Sequence, residues 1–573
     1  MTARDATQIA TLLTEYGQRS GLRGDNRYRS KAYLRAAENI GALTEPLAEI
    51  IAEGRLREIP GVGDAIADII TKLYETGTHP SLEKMRADVP AGVRELLAVP
   101  GLRPDKVLKL HKELGISSMD ELEGAARAGR LASIKGLGAS LQSKILRGIE
   151  IHKSARGQLH LHRAAELLAA FENNLKRSHP DVVSVTSAGD FRRACELVSD
   201  LSVVATVKRR RKPEILRLGN GAKVHLTDEL HYGATLLHAT GSAKHIQALN
   251  EIAAAKRLKL RADGLWKGAK RIAGETEEAI YKSLGLAWIP PELREGLNEI
   301  ELAKVNRLPR LLEDEDIRGI LHAHTDRSDG VHTLEQMADA TRDRGYAYFG
   351  VADHSKSAHY AGGLSIDEIE EQHREANRLN GRYGKQFHIF KGIESDILVD
   401  GSLDYDDHVL SRFDFVIASV HSRFALDRHS QTERILRAVW NPRTTILGHM
   451  TGRQLLRRPG YELDIEKVLK ACADCGVAVE INANPWRLDI DWRWHQTALS
   501  LGCMLSVNPD AHSTKELDLT RWGVAMARKG GVPRERVLNC LTLARFQEYL
   551  DARRSVVRKR GTATARARAR AVA

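Results

Sequence analysis

At about 100–200 residues per domain, a chain of 573 residues divides into several units, and its 42% hydrophobic content can supply a core to each. It has no apolar run of about 18 residues, which excludes an ordinary membrane-spanning helix. Its five cysteines are too few and scattered for a disulfide framework. The net charge of +12 is unevenly placed: residues 553–573 hold eight Lys or Arg and no acid, leaving +4 for the rest.

The N-terminal MTARDATQIATLLTEYG has helical amphipathic spacing and no secretory apolar region, so a cytoplasmic location is expected. Helical periodicity continues through 31–56 and 64–74. Three related turns follow, each an apolar residue, a glycine turn and a helical pattern. They are Ile59-Pro-Gly61-Val-Gly63, Val99-Pro-Gly101-Leu-Arg103 and Ile134-Lys-Gly136-Leu-Gly138. Glycine allows a tight turn and a close backbone approach, and amides at the next helix start point outward, where a phosphate can sit. Gly61, Gly63, Gly101, Gly136 and Gly138 are therefore candidate phosphate contacts. Repetition separates these turns from ordinary αα-hairpins, although Arg103 replaces a glycine in the second.

From 315 to 548, seven short apolar runs alternate with helical patterns: GIL, YFGVA, FHIFKGI, FVIASV, TTILG, VAVEI and MLSV. Such alternation predicts parallel βα units, and a closed barrel places its chemistry at the strand C-termini. Those ends carry His322, His324 and Asp329, then Asp353 and His354, then Glu394, His421, His449, and finally Asp510 and His512. The six histidines, with Asp329, Glu394 and Asp510, are metal-ligand chemistry, and mixed N/O donors suit Mn²⁺ or Zn²⁺. Asp353, beside a histidine, is expected to orient it. Arg453, Asn484 and Arg487 are expected to grip phosphate, with ordinary loop polarity as the alternative. The CxxC at Cys472 and Cys475 lies in a helical pattern without a second pair and reads as core.

The three turns look like helix-hairpin-helix motifs. Together with AGDFRRACELVSDLSVVATV, LLHATGSAKHIQALNEIA and GETEEAIYKSLGLAWIPPELREG, they resemble the bacterial polymerase X family. The barrel segments HAHTDRSDG, ADHS, GIESDI, ASVHS, LGHMTGR, EINANPWRLD and NPDAHS match the PHP (polymerase and histidinol phosphatase) family. The resemblance implies a multidomain α+β and α/β chain. Its parts would be an N-terminal helical domain with the first hairpin (1–85), the second and third hairpins (86–152), a palm (153–235) and a thumb (236–300). A distorted (β/α)7 PHP barrel (315–548) and a basic, disordered tail (549–573) would follow.

The resemblance further implies three divalent ions. One would sit near His322, His324, Glu394 and Asp510, a second near Glu394, His421 and His449, and a third near Asp329, His354 and His512. Glu394 would bridge two ions. Glu394, Asp353 and Asp510 would be the central catalytic side chains, acting on a water that attacks phosphorus.

The palm departs from the family pattern. Of three metal-binding carboxylates only Asp200 remains, with Ser202 and His225 at the other positions. Asp190 replaces the serine of the triphosphate cradle, and His238, Ala239 and Ile246 replace further nucleotide contacts. Arg192 and Arg193 persist, and the run Lys208-Arg-Arg-Arg-Lys212 reads either as a basic DNA contact or as a solvated turn. Ile69 stands where the lyase lysine of some relatives aligns.

The expected function is a sequence-independent DNA-binding phosphoesterase, 3′→5′ exonuclease or 3′-end processing in repair, with polymerisation lost. Gapped or 3′-ended DNA is the expected partner and a monomer the expected state. The alternatives are a gap-filling polymerase with exonuclease, a histidinol-phosphatase-like enzyme and a non-catalytic scaffold.

Overall fold

The computed structural model describes residues 6–553 except 26, 42–46, 60, 100–101, 134–138, 155–156, 209–211 and 218–221. It divides into two compact units, 1–157 (with 456–458) and 158–573 (without them).

The first unit is helical among the described residues. One core runs from Ile9 to Met85 and contains Ile69. A second joins Leu22 to residues between Val89 and Ile149. At the first predicted hairpin Val62 N donates to Ile59 O at 3.0 Å, Gly61 takes φ +83°, and Gly63 caps the helix Asp64–Thr76 without a side-chain bond. That φ is the left-handed region glycine tolerates best. At the second, Arg103 caps the helix Pro104–Leu114. Gly101, Gly136 and Gly138 lie outside the described residues, as do residues 209–211 of the basic run and 554–573 of the tail.

In the second unit, helix Leu161–Ser178 packs on a sheet of β1 (Val182–Ser187), β2 (Ser202–Val207), β3 (Glu214–Arg217) and β4 (Lys223–Thr227). The strand order is β1-β2-β4-β3, and the β2–β4 register sets Ser202 opposite Lys223. Helices Tyr232–Thr240 and Ala243–Ala255 follow, then a three-stranded sheet of β5 (Lys259–Arg261), β6 (Gly264–Lys267) and β7 (Lys270–Ala273). The helix Glu277–Leu284 completes their core.

Seven parallel strands form the last region. They are β8 (Gly319–Ile320), β9 (Tyr348–Val351), β10 (His388–Asp396), β11 (Phe415–Ser419), β12 (Ile446–Leu447), β13 (Ala478–Asn482) and β14 (Leu505–Asn508). Each pairs with its neighbour in sequence, and a bridge between Ala323 and Ala511 nearly closes the sheet into a barrel. All seven predicted runs are strands. They read as continuous apolar runs because both faces are covered: β11, β13 and β14 are buried throughout. The intervening helices begin where the sequence signals them, with capping boxes at Thr333–Gln336 and Ser365–Glu368. Gly392 is required by packing, since a Cβ there would lie 2.2 Å from the Phe415 ring. Cys472 is buried in the barrel core.

The sheet region and the barrel are bound together within this unit. Glu196 accepts from Trp492 Nε1 (2.9 Å) and Arg493 (2.7 Å), and Lys529 donates to Arg193 O (2.9 Å) and Glu295 (2.6 Å). No helix among the described residues is long and apolar enough to cross a membrane.

Candidate metal centre

Successive strand ends deliver their side chains to one barrel mouth because each βα loop leaves the barrel at the same end. Glu394, near the end of β10, is the hub. Its Oε1 lies 3.0 Å from His449 Nε2, 3.3 Å from His421 Nε2 and 3.5 Å from His322 Nε2. Its Oε2 lies 3.0 Å from His354 Nδ1 and 3.7 Å from His324 Nε2. Asp510 approaches His324 (3.2 Å) and His322 (3.6 Å), and Asp329 approaches His512 (3.3 Å) and His354 (3.6 Å). All nine expected side chains are thus contiguous.

Their grouping differs in part from the expected one. Ligand atoms converge in three sets: His322, His324 and Asp510; His354, Glu394 and His421; and His324, Asp329, His354 and His512. His324 and His354 each stand in two sets, because their rings stack with centroids 4.4 Å apart. His449 contributes through its contact with Glu394. The burial is graded. His322 and His324 are fully buried, whereas the side chains of His512 and Asp329 are 30% and 36% exposed. The mouth therefore opens to solvent on the Asp329–His512 side.

The electrostatics are those of a site made for cations. Burial alone would depress the His322 imidazole, yet Glu480, Glu394 and Asp510 hold its pKa well above the usual value. Burial would also depress His421, but Glu394 and Asp396 push it up to about 10. Asp329 and Asp510 likewise overcome burial at His512 and raise it to about 9. His324, buried and flanked by His512 and His354, falls to about 4. Burial would raise Glu394 and Asp510, but the surrounding imidazoles keep both well below the carboxylate range. His322 Nε2, His324 Nδ1, His354 Nδ1, His449 Nδ1 and Glu394 Oε2 are buried without a hydrogen-bond partner. Orphaned buried polar atoms are rare and need an explanation. Convergent imidazole and carboxylate atoms fit divalent ions such as Mn²⁺ or Zn²⁺.

Two buried carboxylates that support this cluster escaped the sequence reading. Glu480 accepts from His322 Nδ1 (2.6 Å), the His449 amide (2.7 Å) and Asn508 Nδ2 (2.9 Å). Asp396 pairs with His421 Nδ1 at 2.6 Å. Each fixes the ring so that Nε2 faces Glu394, the usual way a ligating histidine is oriented. Asp510 itself takes φ +52°, a strained conformation for a non-glycine residue, with Oδ2 held by Asn482 at 3.1 Å.

Two expected residues, Asp353 and Arg453, are corrected. The Asp353 carboxylate does not face the cluster. It accepts from the Thr325 amide (2.7 Å), Thr325 Oγ1 (2.6 Å), Ser328 Oγ (2.5 Å) and Gln372 Nε2 (2.6 Å), fastening the loop that carries Asp329. The Arg453 guanidinium is occupied by Asp491 (2.6 Å) and the Arg487 and Leu488 carbonyls, which leaves it unable to grip phosphate. Asn484 Oδ1 accepts from the Trp486 amide at 3.1 Å in a local turn. Arg487 does lie at the mouth, with Nε 3.6 Å from Asp510 Oδ2.

Comparison with known proteins places these regions. Family models match the chain at residues 4–79 (helix-hairpin-helix domain), 235–295 (DNA polymerase beta thumb) and 321–484 (PHP domain). The DNA polymerase/3′-5′ exonuclease PolX of Bacillus subtilis is 32% identical over 555 residues, covering 92% of this chain and 96% of the relative. The chain belongs to the bacterial DNA polymerase X family. Shorter relatives match part of it. A probable phosphatase of Acetivibrio thermocellus is 25% identical over 42% of this chain and 97% of its own length. Another, from a Thermoanaerobacter species, is 28% identical over 29% of this chain and 69% of its own length.

In the region expected to be a palm, the charged side chains are paired with one another. Asp200 is paired with Lys223 Nζ at 2.6 Å. Ser202 is buried, and burial pushes the nearby His225 imidazole pKa down. Asp190 pairs with Arg193 (2.7 Å) and accepts from the Ser199 amide (3.0 Å). The neighbouring arginines are engaged too. Arg192 makes a two-pronged pair with Glu277 (2.8 and 2.9 Å), and Arg193 binds Glu295 at 3.0 Å. Two arginines, Arg192 and Arg294, outweigh burial at Glu277 and bring its pKa down to about 2.

Proposed function

We propose that this polymerase X protein is a DNA-directed, metal-dependent phosphodiesterase that removes nucleotides from 3′ ends in DNA repair, and that its palm no longer polymerises. The observation that carries the reading is the convergence of buried imidazole and carboxylate atoms on Glu394, with His322 Nε2, His354 Nδ1 and Glu394 Oε2 among those left without a hydrogen bond. His322, His324, Asp329, His354, Glu394, His421, His449, Asp510 and His512 would hold up to three divalent ions, Mn²⁺ or Zn²⁺. Such ions supply positive charge to the phosphoryl oxygens and acidify the attacking water.

The chain's own residues do the rest. Glu480 and Asp396 hold two rings in the ligating tautomer. Asp353 fixes the loop that ends at Asp329. Arg487, at the open side of Asp510, orients the phosphodiester. The helix-hairpin-helix and thumb regions support DNA as substrate, and the relative named a polymerase/3′-5′ exonuclease supports the direction of attack. The Asp200–Lys223 pair supports the loss of polymerisation, since an ammonium already neutralises the one carboxylate retained there to hold a metal ion.

The test is purified full-length protein with a labelled primer–template and Mn²⁺, with and without dNTPs. Shortening in both conditions is expected. Extension would overturn the palm reading. Inertness toward DNA with hydrolysis of a small phosphomonoester would favour the second reading, drawn from the probable phosphatases that share the PHP region.

A further inference from the structure

We infer that Tyr360 is the platform on which the terminal nucleobase of the DNA end stacks, so that this site prefers base-bearing ends over abasic ones. The assignment rests on the DNA-directed reading above. Tyr360 lies in the loop between β9 and the helix Ile366–Tyr383, on a single 3-10 turn, His359–Ala361. The loop is fastened on every side. Leu364 N donates back to His354 O (2.9 Å), Lys356 N to the Tyr405 hydroxyl (3.0 Å) and Ser357 N to Asp404 (2.6 Å), while Ser357 Oγ donates to Asp396 (3.0 Å). Ala358 and Ala361 are buried, and a Cβ at Gly363 would meet Ser355 O at 1.9 Å. Yet Tyr360, between the two alanines, is 72% exposed.

A single exposed aromatic is unremarkable by itself. This one sits over the candidate metal centre. Its ring centroid lies 6.3 Å from that of His354, which belongs to two of the three ligand sets. It is also on the open side, since Asp329 and His512 are the exposed members of the cluster and His354 touches Asp329. A phosphodiester held between the cluster and Arg487 leaves its nucleoside one sugar away, where a flat apolar face is needed and a base of any identity stacks. The other exposed ring near the mouth, Trp486, is 38% exposed and packs against His160 and His162 with centroids at 4.3 and 5.5 Å, so it serves as wall.

The test compares the full-length parent, Tyr360→Ala and Tyr360→Phe on single-stranded oligonucleotides with Mn²⁺. One substrate ends in a normal 3′ nucleotide and the other in a 3′ abasic analogue. The parent should prefer the base-bearing end, and Tyr360→Ala should raise KM on it by about 10-fold, bringing the preference close to unity. Tyr360→Phe should behave like the parent. Unchanged melting temperature and Mn²⁺ content in both variants will show that the fold and the metals are intact. A parent that shortens DNA but shows the same base preference as Tyr360→Ala overturns this assignment and leaves the nuclease reading standing. So does a Tyr360→Phe variant as impaired as Tyr360→Ala, which would move the role to the hydroxyl. A parent that does not shorten DNA at all overturns the nuclease reading itself.

Discussion

The barrel mouth and the expected palm both hold carboxylates, and the two sets are partnered differently. At the mouth, Glu394 is ringed by five imidazoles and several facing atoms have no partner. In the palm, Asp200 has an ammonium 2.6 Å away. The first arrangement is shaped to take a cation. The second carries its cation covalently, as Lys223. A residue count alone would call the palm depleted; the pairing shows that what remains there is also neutralised.

The largest effect should come from Glu394→Ala. It removes the carboxylate that lies between His421, His449, His322 and His354 and leaves their charges uncompensated. DNA shortening should fall by on the order of 10³-fold or more, with bound Mn²⁺ reduced on elemental analysis. DNA binding should persist, because the helix-hairpin-helix match lies at residues 4–79. A variant that keeps the parent rate would place the chemistry elsewhere.

Next comes Glu480→Gln, where the shape is kept but an amide NH₂ now confronts the donors of His322, His449 or Asn508. Loss of such an outer carboxylate weakens metal binding by about 10–100-fold. A Mn²⁺ titration that gives the parent affinity would show that His322 is oriented by packing alone.

Much of the mouth was legible in the sequence, because a βα barrel converts one-dimensional order into position: a histidine after a buried strand lands at the mouth. The supporting residues were harder to read. Glu480 lies inside a wholly buried strand, and the available signal was the cost of burying a carboxylate without a partner. Asp396 was hidden in the same way at the end of β10. Lys223 could be recognised only from the β2–β4 register, which local pattern does not specify. Arg453 was misread because its partners, Asp491 and the carbonyls at 487 and 488, come from another loop.

A smaller, graded effect is expected from pH. Ligating imidazoles must be neutral, but without cations His421 is raised to about 10 and His512 to about 9. Mn²⁺ binding should therefore release protons, and apparent affinity should rise by about tenfold per pH unit for each proton displaced. The metal-free protein should show the opposite trend in stability. A raised folded-state pKa stabilises fully below the unfolded value of about 6.5 and ceases to do so as pH climbs through the folded value. Melting temperature in EDTA should fall between pH 7 and 10. Melting curves that are flat across that window would place His421 and His512 in a different charge state.

The smallest effect, none at all, is predicted for repair of the palm by two substitutions. Ser202→Asp with His225→Asp rebuilds the carboxylate count of an active polymerase X site on paper. In the structure, Ser202 stands opposite Lys223 in the strand register and is buried, so the new carboxylate enters next to an ammonium already bound to Asp200. One added charge would be neutralised by Lys223 rather than by a metal ion. Asp190 would still occupy the triphosphate cradle, fixed by Arg193 and the Ser199 amide, and Arg192 would remain clamped to Glu277. A gapped, labelled primer with dNTPs and Mn²⁺ should show no more extension by the double variant than by the parent. Adding Lys223→Ala and Asp190→Ser removes the built-in cation and the opposing acid, so any recovery should appear first in that background. If the double variant alone extends the primer, the palm was disabled by two missing side chains and the ion pairs around them are incidental.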